Sequence, residues 1–267
     1  MSRGESGLLT DNDPPAVTVE RPAGASCWVL VCDHAGFRVP ERLGGLGLEP
    51  AALKSHVAGD NGAAAVATGM SERLDAPLVL QAYTRLVIDC NRPTDSAASI
   101  VGRSENTEIP GNQGLTPDEA EARVDAVFRP YHEAIDGLLD GRTRSGQASG
   151  LVAIHSFTPT YHGRERPWEI GIIHNHDREL GTALIDGLRA EGLEVGDNQP
   201  YSPADEVDYT ITRHGHPRRI PHTMIEIRDD LLGGDAERAA WAARLATLLD
   251  AVTGDMISGG GAVAARR

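Results

Sequence analysis

Short apolar runs rich in β-branched residues recur along this chain, and polar or helically spaced stretches separate them. Such runs predict buried strands, here over residues 26–33, 78–80, 86–89, 151–154, 170–174, 194–195 and 222–227. Apolar residues at helical spacing predict helices over residues 50–74 (one long helix or two short ones), 116–139, 178–192 and 235–253. Because strands alternate with helices, the pattern predicts an α/β protein with a mixed, mostly parallel sheet flanked by helices.

Two segments between these elements add detail. Residues 91–114 are rich in proline, serine, asparagine and glycine and lack periodicity, which is more typical of a functional loop than of a linker. The following Thr116-Pro117-Asp118-Glu119 predicts a helix start, with threonine at the N-cap, proline at N1 and glutamate at N3.

The organisation of the chain indicates one domain. Within 267 residues there is no internal repeat and no clear boundary, so we expect a single α/β domain over residues 26–255. A polar arm (1–25) precedes it and a flexible tail (256–267) follows it. The arm lacks the continuous apolar core of a signal peptide, and no run reaches the roughly 20 apolar residues of a membrane span. We therefore expect a cytoplasmic protein.

Composition and charge restrict the possible partners. The formal net charge of −14 argues against nucleic acid and anionic membranes, because both select basic surfaces. The three cysteines (Cys27, Cys32 and Cys90) are odd in number and lack CxxC spacing, so neither a disulfide framework nor a cysteine-rich zinc site is expected. A small-molecule substrate remains the expected partner.

Three predicted strands end at side chains that can bind a metal or transfer a proton. Their apolar runs lead into Asp33-His34, into His155 and into Glu226. In open α/β sheets, the carboxyl ends of the strands form the ligand-binding edge. A catalytic zinc takes three His or carboxylate ligands, and since the chain has no HExxH helix, these must come from separated positions. His34 and His155 are the candidate ligands, and the alternative is an ordinary hydrogen-bonded histidine at each strand end.

Glu226 is the candidate general base. A carboxylate beside a metal site can take a proton from water and hand it to a leaving amine. Arg228 shares a strand face with Glu226 and is a candidate for substrate binding. The alternative for both residues is a structural Glu226–Arg228 pair.

The third ligand is open between two carboxylates. Asp60 stands next to Asn61-Gly62 in a helical region, where a break can turn its side chain toward the sheet edge. Glu41 follows His34 by seven residues but can equally be a surface charge. We favour Asp60.

Several polar side chains are candidates for binding an anionic substrate. Asn91-Arg92 follows an apolar run and precedes a proline, and an arginine–asparagine pair can bind a carboxylate through a bidentate fork and an added amide donor. Arg92 paired with a nearby aspartate is the structural alternative. Arg103 in the long loop, together with His174 and His214, completes the set of candidate pocket residues.

The ordered set of motifs resembles the N-formylglutamate amidohydrolase family. The matching segments run from about Val29 to Leu232 and read DHAGFRVPERLGGLGL, HVAGDNGA, RLVIDCNRP, FRPYHEAI, IHSFTP, TRHGH and HTMIEIRDDLL. The family is distantly similar to zinc carboxypeptidases. The resemblance therefore implies a phosphorylase/hydrolase-like sheet, a zinc ion held by two histidines and a carboxylate, an Asn-Arg pair for the substrate carboxylate, and a late glutamate as base.

Carried onto this sequence, the resemblance implies His34 and His155 as ligands, Asn91-Arg92 as carboxylate binders and Glu226 as base. Two departures stand out. No glutamate closely follows His34, which leaves Asp60 and Glu41 as the alternatives, and Asp33-His34-Ala35 replaces the Pro-His-Ser-Gly pattern of the better-known enzymes. The chain is thus placed in a side branch of the family.

The resulting expectation is a zinc-dependent amidohydrolase, with another divalent metal as an option, that hydrolyses an N-formyl or N-acyl amino acid. The simplest substrate is N-formyl-L-glutamate, which would give formate and glutamate. The alternatives are another metal-dependent deacylase or small peptidase, and a non-catalytic module that binds an anionic metabolite.

Overall fold

A seven-stranded mixed sheet forms the centre of the protein in the computed structural model, which describes residues 7–205 and 207–259. The strands are β1 (Val17–Glu20), β2 (Trp28–Cys32), β3 (Leu78–Gln81), β4 (Gly150–Phe157), β5 (Ile170–Ile173), β6 (Val195–Asp197) and β7 (His222–Arg228). Their order is β1-β3-β2-β4-β7-β5-β6. The β1–β3 and β7–β5 pairs are antiparallel and the other pairs are parallel. The predicted mixed, mostly parallel sheet is confirmed.

Helices cover both faces of this sheet. They are α1 (Ala63–Leu74), α2 (Pro117–Arg123), α3 (Arg129–Arg144), α4 (Arg178–Ala190), α5 (Tyr209–Gly215) and α6 (Asp235–Gly259). One face packs Leu30 and Ile154 of the sheet against α1, α4 and α6, whereas the other packs Val31 and Ala153 against α3 and α5. The central strands β2, β4, β5 and β7 are therefore buried on both sides, which explains why they appear in the sequence as apolar runs.

The predicted helix start at Thr116 is confirmed as a capping box. The Thr116 hydroxyl accepts a hydrogen bond from the Glu119 backbone N–H at 3.3 Å, and the Glu119 carboxylate accepts one from the Thr116 N–H at 2.8 Å. A π-helical turn, Val124–Phe128, joins α2 to α3 and ends two residues before Pro130, which has no N–H to donate.

Replacing Thr116 by alanine is expected to lower the free energy of unfolding by about 1 kcal/mol, because the Glu119 backbone N–H loses the hydroxyl that accepts its hydrogen bond. Urea unfolding monitored by circular dichroism measures this change. Thr247→Ala, at an exposed position inside α6, is the control and is expected to leave stability unchanged or slightly raised, because alanine favours a helix interior. Equal effects of the two substitutions would show that the cap contributes nothing.

The strand predicted over residues 86–89 is wrong. The Thr84 hydroxyl accepts from the Leu86 N–H at 3.2 Å, and the Thr84 carbonyl accepts from the Val87 N–H at 3.0 Å, so the chain forms a turn. Its apolar side chains are fully buried, and a short buried run cannot be assigned to a strand from periodicity alone. Asp89, Asn91 and Arg92 consequently stand on a buried loop rather than at a strand end.

Other elements differ from expectation at the edges of the fold. Part of the polar arm forms the edge strand β1, and the short helix α5 was not anticipated. The expected helical region 50–74 holds a short 3-10 turn (Ala52–Lys54), a loop and then α1. Helix α6 continues to Gly259, whereas the rest of the expected tail and residues 1–6 lie outside the described residues.

No helix in the described part of the chain has the length and apolar character to cross a membrane.

The sheet order places a ligand-binding edge between β2 and β4. Strand β2 leads to β3 on one side, and β4 then pairs with β2 on the other side, which makes a topological switch point. Val31 pairs with Ala153, and His155 pairs with Glu226. Asp33 follows Val31 by two residues, and His155 follows Ala153 by two residues, so Asp33 and His155 lie side by side on the same face of the sheet. Since His155 pairs with Glu226, all three side chains come together there.

Candidate active site

The carboxyl ends of β2, β4 and β7 bring buried ionisable side chains together. Asp33, His34, His155 and Glu226 are each 5% exposed or less. The His155 Nε2 atom lies 2.8 Å from Asp33 Oδ2, which joins two neighbouring strand ends directly. The edge that the sequence predicts as a site is therefore a compact polar cluster within an apolar sheet.

Asp60 completes this cluster from the loop before α1. Its Oδ2 atom lies 3.3 Å from His34 Nδ1 and 2.8 Å from His155 Nδ1. Its backbone N–H donates to the His34 carbonyl at 3.0 Å. Gly62 has φ +79°, and a side chain there would meet Leu232 at 2.6 Å, so a glycine allows the close turn into α1. This turn directs Asp60 toward the sheet edge.

A second carboxylate orients each histidine. The His34 Nε2 atom lies 2.7 Å from Asp89 Oδ1, and Asp33 holds His155 in the same way. Asp33 in turn accepts from the Thr210 hydroxyl at 2.6 Å, and Asp89 accepts from the Asn91 N–H at 2.8 Å. Both rings therefore direct Nε2 to an outer carboxylate and Nδ1 to Asp60.

This donor set fits a divalent metal such as zinc. Among the residues that the structure describes, only His34, Asp60 and His155 gather three potential ligand side chains, with ligand atoms within 4.8 Å of one another. Two imidazoles and one carboxylate are typical ligands of a catalytic zinc. Carboxylates behind the histidines are the usual supports of such ligands, because they fix the tautomer and raise the basicity of the ring.

Charge compensation shifts the pKa values of Asp60 and His155 in opposite directions. Burial raises the pKa of Asp60, but the Arg85 guanidinium and the two histidines outweigh it, so the pKa stays well below its usual range. Arg85 Nη2 forms an ion pair with Asp60 Oδ1. Burial lowers the pKa of His155, but hydrogen bonds to Asp33 and Asp60 hold this pKa well above its usual value.

Glu226 differs from these partnered groups. Its Oε2 atom is buried and has no hydrogen-bond partner. Burial raises its pKa to about 7, although the nearby His155 opposes the shift. A carboxyl group with such a pKa can both accept and release a proton near neutral pH, which is what general acid–base chemistry requires.

A cavity of about 310 Å³ opens beside the cluster and carries three cationic side chains, Arg85, Arg92 and Arg103. The Arg92 Nη1 atom donates to the Asp205 carbonyl at 2.6 Å, and its Nε lies 3.8 Å from Asp89. Arg103 is exposed and lies 3.3 Å from Glu108. The cavity thus combines a candidate metal centre, Glu226 and several positive charges.

Asn91 lines this cavity but already has protein partners. Its amide nitrogen donates to the Val207 carbonyl, and its Oδ1 accepts from the Thr210 N–H at 2.9 Å. The side chain therefore holds the loop after Asp89 against α5. Substrate binding by Asn91 stays a prediction.

Other candidates from the sequence lie outside the cavity lining. Arg228 pairs with Asp230 at 2.8 Å, not with Glu226. His174 Nε2 lies 2.7 Å from Asp197, and His214 is buried between His132 and Asp136. Glu41 is an exposed residue that accepts from Thr10 and Asn12. These contacts tie the four side chains to other parts of the fold.

Sequence reasoning missed Asp33, Asp89, Arg85 and Tyr201 as contributors to the site. Asp33 precedes His34 directly, and the need for a carboxylate behind each metal-binding histidine could have drawn attention to it. Asp89 and Arg85 were not recognised as site residues because residues 86–89 have the apolar composition of a strand, whereas they form a turn. Tyr201 lines the cavity from a proline-rich loop whose position depends on the tertiary fold.

Solved structures of other proteins share this architecture. Gene product Atu2144 from Agrobacterium tumefaciens is 41% identical and superposes with a TM-score of 0.91 over 93% of this chain and 98% of that chain. An N-formylglutamate amidohydrolase from Ralstonia eutropha JMP134 is 20% identical, with a TM-score of 0.70 over 92% and 100% of the respective chains, which shows a shared fold. No match was found among curated proteins.

The sequence also matches a family model over most of its length. The model describes N-formylglutamate amidohydrolases and spans residues 26–232, from just before β2 to the segment after β7. This range contains all the side chains of the cluster and confirms the resemblance drawn from the motifs. The chain belongs to the N-formylglutamate amidohydrolase family, a family of hydrolases.

Proposed function

We propose that this protein is a metal-dependent amidohydrolase, with zinc as the metal, that removes the formyl group from N-formyl-L-glutamate. The observation that carries the proposal is the His34–Asp60–His155 donor set next to the buried, unpartnered Glu226 in a cationic cavity. Family membership supports the amide hydrolysis.

The positions of the side chains suggest a chemical role for each of them. A divalent ion held by His34, Asp60 and His155 would supply Lewis acidity, which lowers the pKa of water and polarises a carbonyl. Glu226 accepts a proton from the attacking water as the water oxygen bonds to the formyl carbon. The same carboxyl then gives that proton to the amine nitrogen as the C–N bond breaks. Formate and the free amino acid are the products.

The remaining charged residues keep Asp60 ionised, orient the histidine rings and bind the substrate. Arg85 holds Asp60 ionised, and the carboxylates of Asp33 and Asp89 hold the histidine rings in one orientation. Arg92 on the cavity wall is the anchor that we assign to the substrate α-carboxylate, because its guanidinium matches a carboxylate in a bidentate fork. Arg103 at the rim adds positive charge that attracts the anion.

The direct test is hydrolysis of a substrate panel by the zinc-loaded protein. N-formyl-L-glutamate is expected to be hydrolysed with a higher kcat/KM than N-formyl-L-aspartate, N-acetyl-L-glutamate or a dipeptide, with release of the free amino acid as the common readout. Faster cleavage of the acetyl compound or of the dipeptide would identify another deacylase or a small peptidase. Binding of these compounds without turnover would overturn the enzymatic assignment.

The raised pKa of Glu226 has a measurable effect on stability in the metal-free protein. Because the folded-state pKa (about 7) lies above the unfolded value, the stabilising contribution is present below the unfolded pKa and is lost as the pH rises through about 7. Glu226→Gln removes the titrating carboxyl group and therefore removes this pH-dependent loss of stability. Between pH 5 and pH 8, the stability of this variant relative to the parent is expected to increase by up to about 3 kcal/mol.

Urea unfolding in the presence of a chelator measures the difference at each pH. Glu133→Gln, on the exposed side of α3, is the control and should follow the parent at both pH values. A constant difference between Glu226→Gln and the parent would show that Glu226 keeps an ordinary pKa.

A further inference from the structure

Arg166 lies behind the aromatic end of the active-site cavity. It follows a small hairpin (Thr160–Tyr161 paired with Arg164–Glu165) and is only 9% exposed. Its Cζ atom lies 4.6 Å from the Tyr161 ring centroid, 4.9 Å from that of Tyr201 and 5.7 Å from that of Phe157. All three rings line the cavity. A positive charge thus stands directly behind this wall.

The partners of this guanidinium are neutral. Arg166 Nη1 donates to the Thr158 carbonyl and to the Tyr201 hydroxyl, each at 3.3 Å. Within residues 7–205 and 207–259, no carboxylate oxygen lies within the 4.0 Å that defines an ion pair. The arginines that line the cavity differ, since Arg85, Arg92 and Arg103 face Asp60, Asp89 and Glu108 respectively.

A buried charge without a counter-ion is costly, and aromatic faces offset only part of the cost. An anion bound at this end of the cavity would supply the missing charge. N-formyl-L-glutamate carries two carboxylates, and the proposed function assigns Arg92 to only one of them, the α-carboxylate. The side-chain carboxylate therefore needs a second positive region, and Arg166 provides one behind the aromatic wall.

Tyr201 connects Arg166 to the cavity. Its hydroxyl oxygen accepts from Arg166, so its own O–H is left to donate, and no acceptor for that proton is found among the described residues. The Tyr201 ring lines the cavity together with Glu226. A substrate carboxylate at this wall would receive the Tyr201 hydrogen bond and would also feel the charge of Arg166.

We propose that Tyr201 and Arg166 recognise the side-chain carboxylate of the substrate and so make the enzyme selective for N-acyl amino acids with an acidic side chain. Tyr201 contacts the carboxylate, and Arg166 is a positioning residue that orients the hydroxyl and supplies positive charge. This inference rests on the proposed function and names the residues that set its specificity.

The test compares N-formyl-L-glutamate with its neutral isostere N-formyl-L-glutamine, using the zinc-loaded full chain. The parent is expected to prefer the acidic compound. Arg166→Gln should lower kcat/KM for N-formyl-L-glutamate by about 30-fold, mainly through KM, as expected for a lost charge-assisted interaction. The same variant should leave N-formyl-L-glutamine hydrolysis nearly unchanged, and Arg166→Lys should restore part of the preference.

Two further variants separate specificity from folding. Arg164→Gln, on the same hairpin and exposed, is expected to behave as the parent. Tyr201→Phe keeps the aromatic ring beside Arg166 but removes the hydroxyl, so it should reduce the preference for the acidic compound. This variant also carries the test if Arg166→Gln fails to fold, as judged by its thermal unfolding midpoint.

The outcomes distinguish a failure of the specificity proposal from a failure of the proposed function. Equal losses for both compounds in the Arg166 and Tyr201 variants would make these residues structural and would overturn the inference. A parent enzyme that hydrolyses both compounds equally would overturn it as well, while leaving the proposed function intact. A parent that hydrolyses no N-acyl amino acid would instead overturn the proposed function.

Discussion

Replacing Glu226 by glutamine is expected to lower kcat by about 10²- to 10⁴-fold, the range by which a positioned acid–base group accelerates a reaction. Glutamine has nearly the same shape but can neither accept the proton of water nor return it to the leaving amine. Glu226 is not one of the clustered ligand residues, so zinc content is expected to stay at the level of the parent. Formate release measures kcat, and elemental analysis measures zinc.

The combination of lost turnover and retained metal is the informative result. The Glu133→Gln control removes an exposed glutamate of α3 and should leave both quantities unchanged. If Glu226→Gln keeps a kcat comparable to that of the parent, another group performs the proton transfer. If zinc is lost together with activity, Glu226 has a role in metal binding that the proposal does not include.

Replacing His155 by glutamine is expected to abolish stoichiometric zinc binding and, with it, turnover. His155 is the central member of the cluster, because its two ring nitrogens lie 2.8 Å from Asp60 and 2.8 Å from Asp33. Its loss removes one candidate ligand and leaves two buried carboxylates without their shared partner. Zinc content after dialysis against buffered metal, together with formate release, measures the effect.

A graded series tests the same centre more closely. Asp33→Asn keeps all three ligands but weakens the support of His155, so zinc affinity is expected to fall by about 10- to 100-fold. His162→Gln, at an exposed position of the small hairpin, is the control and should bind zinc as the parent does. Stoichiometric zinc and full activity in His155→Gln would contradict the proposed metal centre.

The site shows where reasoning from single segments reached its limit. His34, His155 and Glu226 could be placed together because each follows an apolar run, and parallel strands bring such ends to one edge. Asp60 could only be favoured over Glu41, since both are acidic residues near turns. The fold separates them: Asp60 is 3% exposed and faces both histidines, whereas Glu41 is on the surface.

The buried turn at residues 84–89 illustrates a different limit. Its apolar side chains have the composition of a strand, but Thr84 closes a turn through its hydroxyl and carbonyl. That turn brings Arg85 to Asp60 and Asp89 to His34. Two supports of the candidate metal centre therefore depend on a conformation that hydrophobic periodicity does not encode.

By itself, the sequence determined the α/β class, the mostly parallel sheet, most of its strands and helices, the family and the row of ligand-bearing strand ends. These features follow from local patterns, since burial on both faces requires apolar strands and helix caps require particular residues. Only the tertiary structure placed Asp60 rather than Glu41 beside the two histidines, and only it revealed the outer carboxylates, the unpartnered state of Glu226 and the enclosure of Arg166. Those properties depend on distances between residues far apart in the chain, and packing fixes such distances only when the whole sheet and its loops have come together.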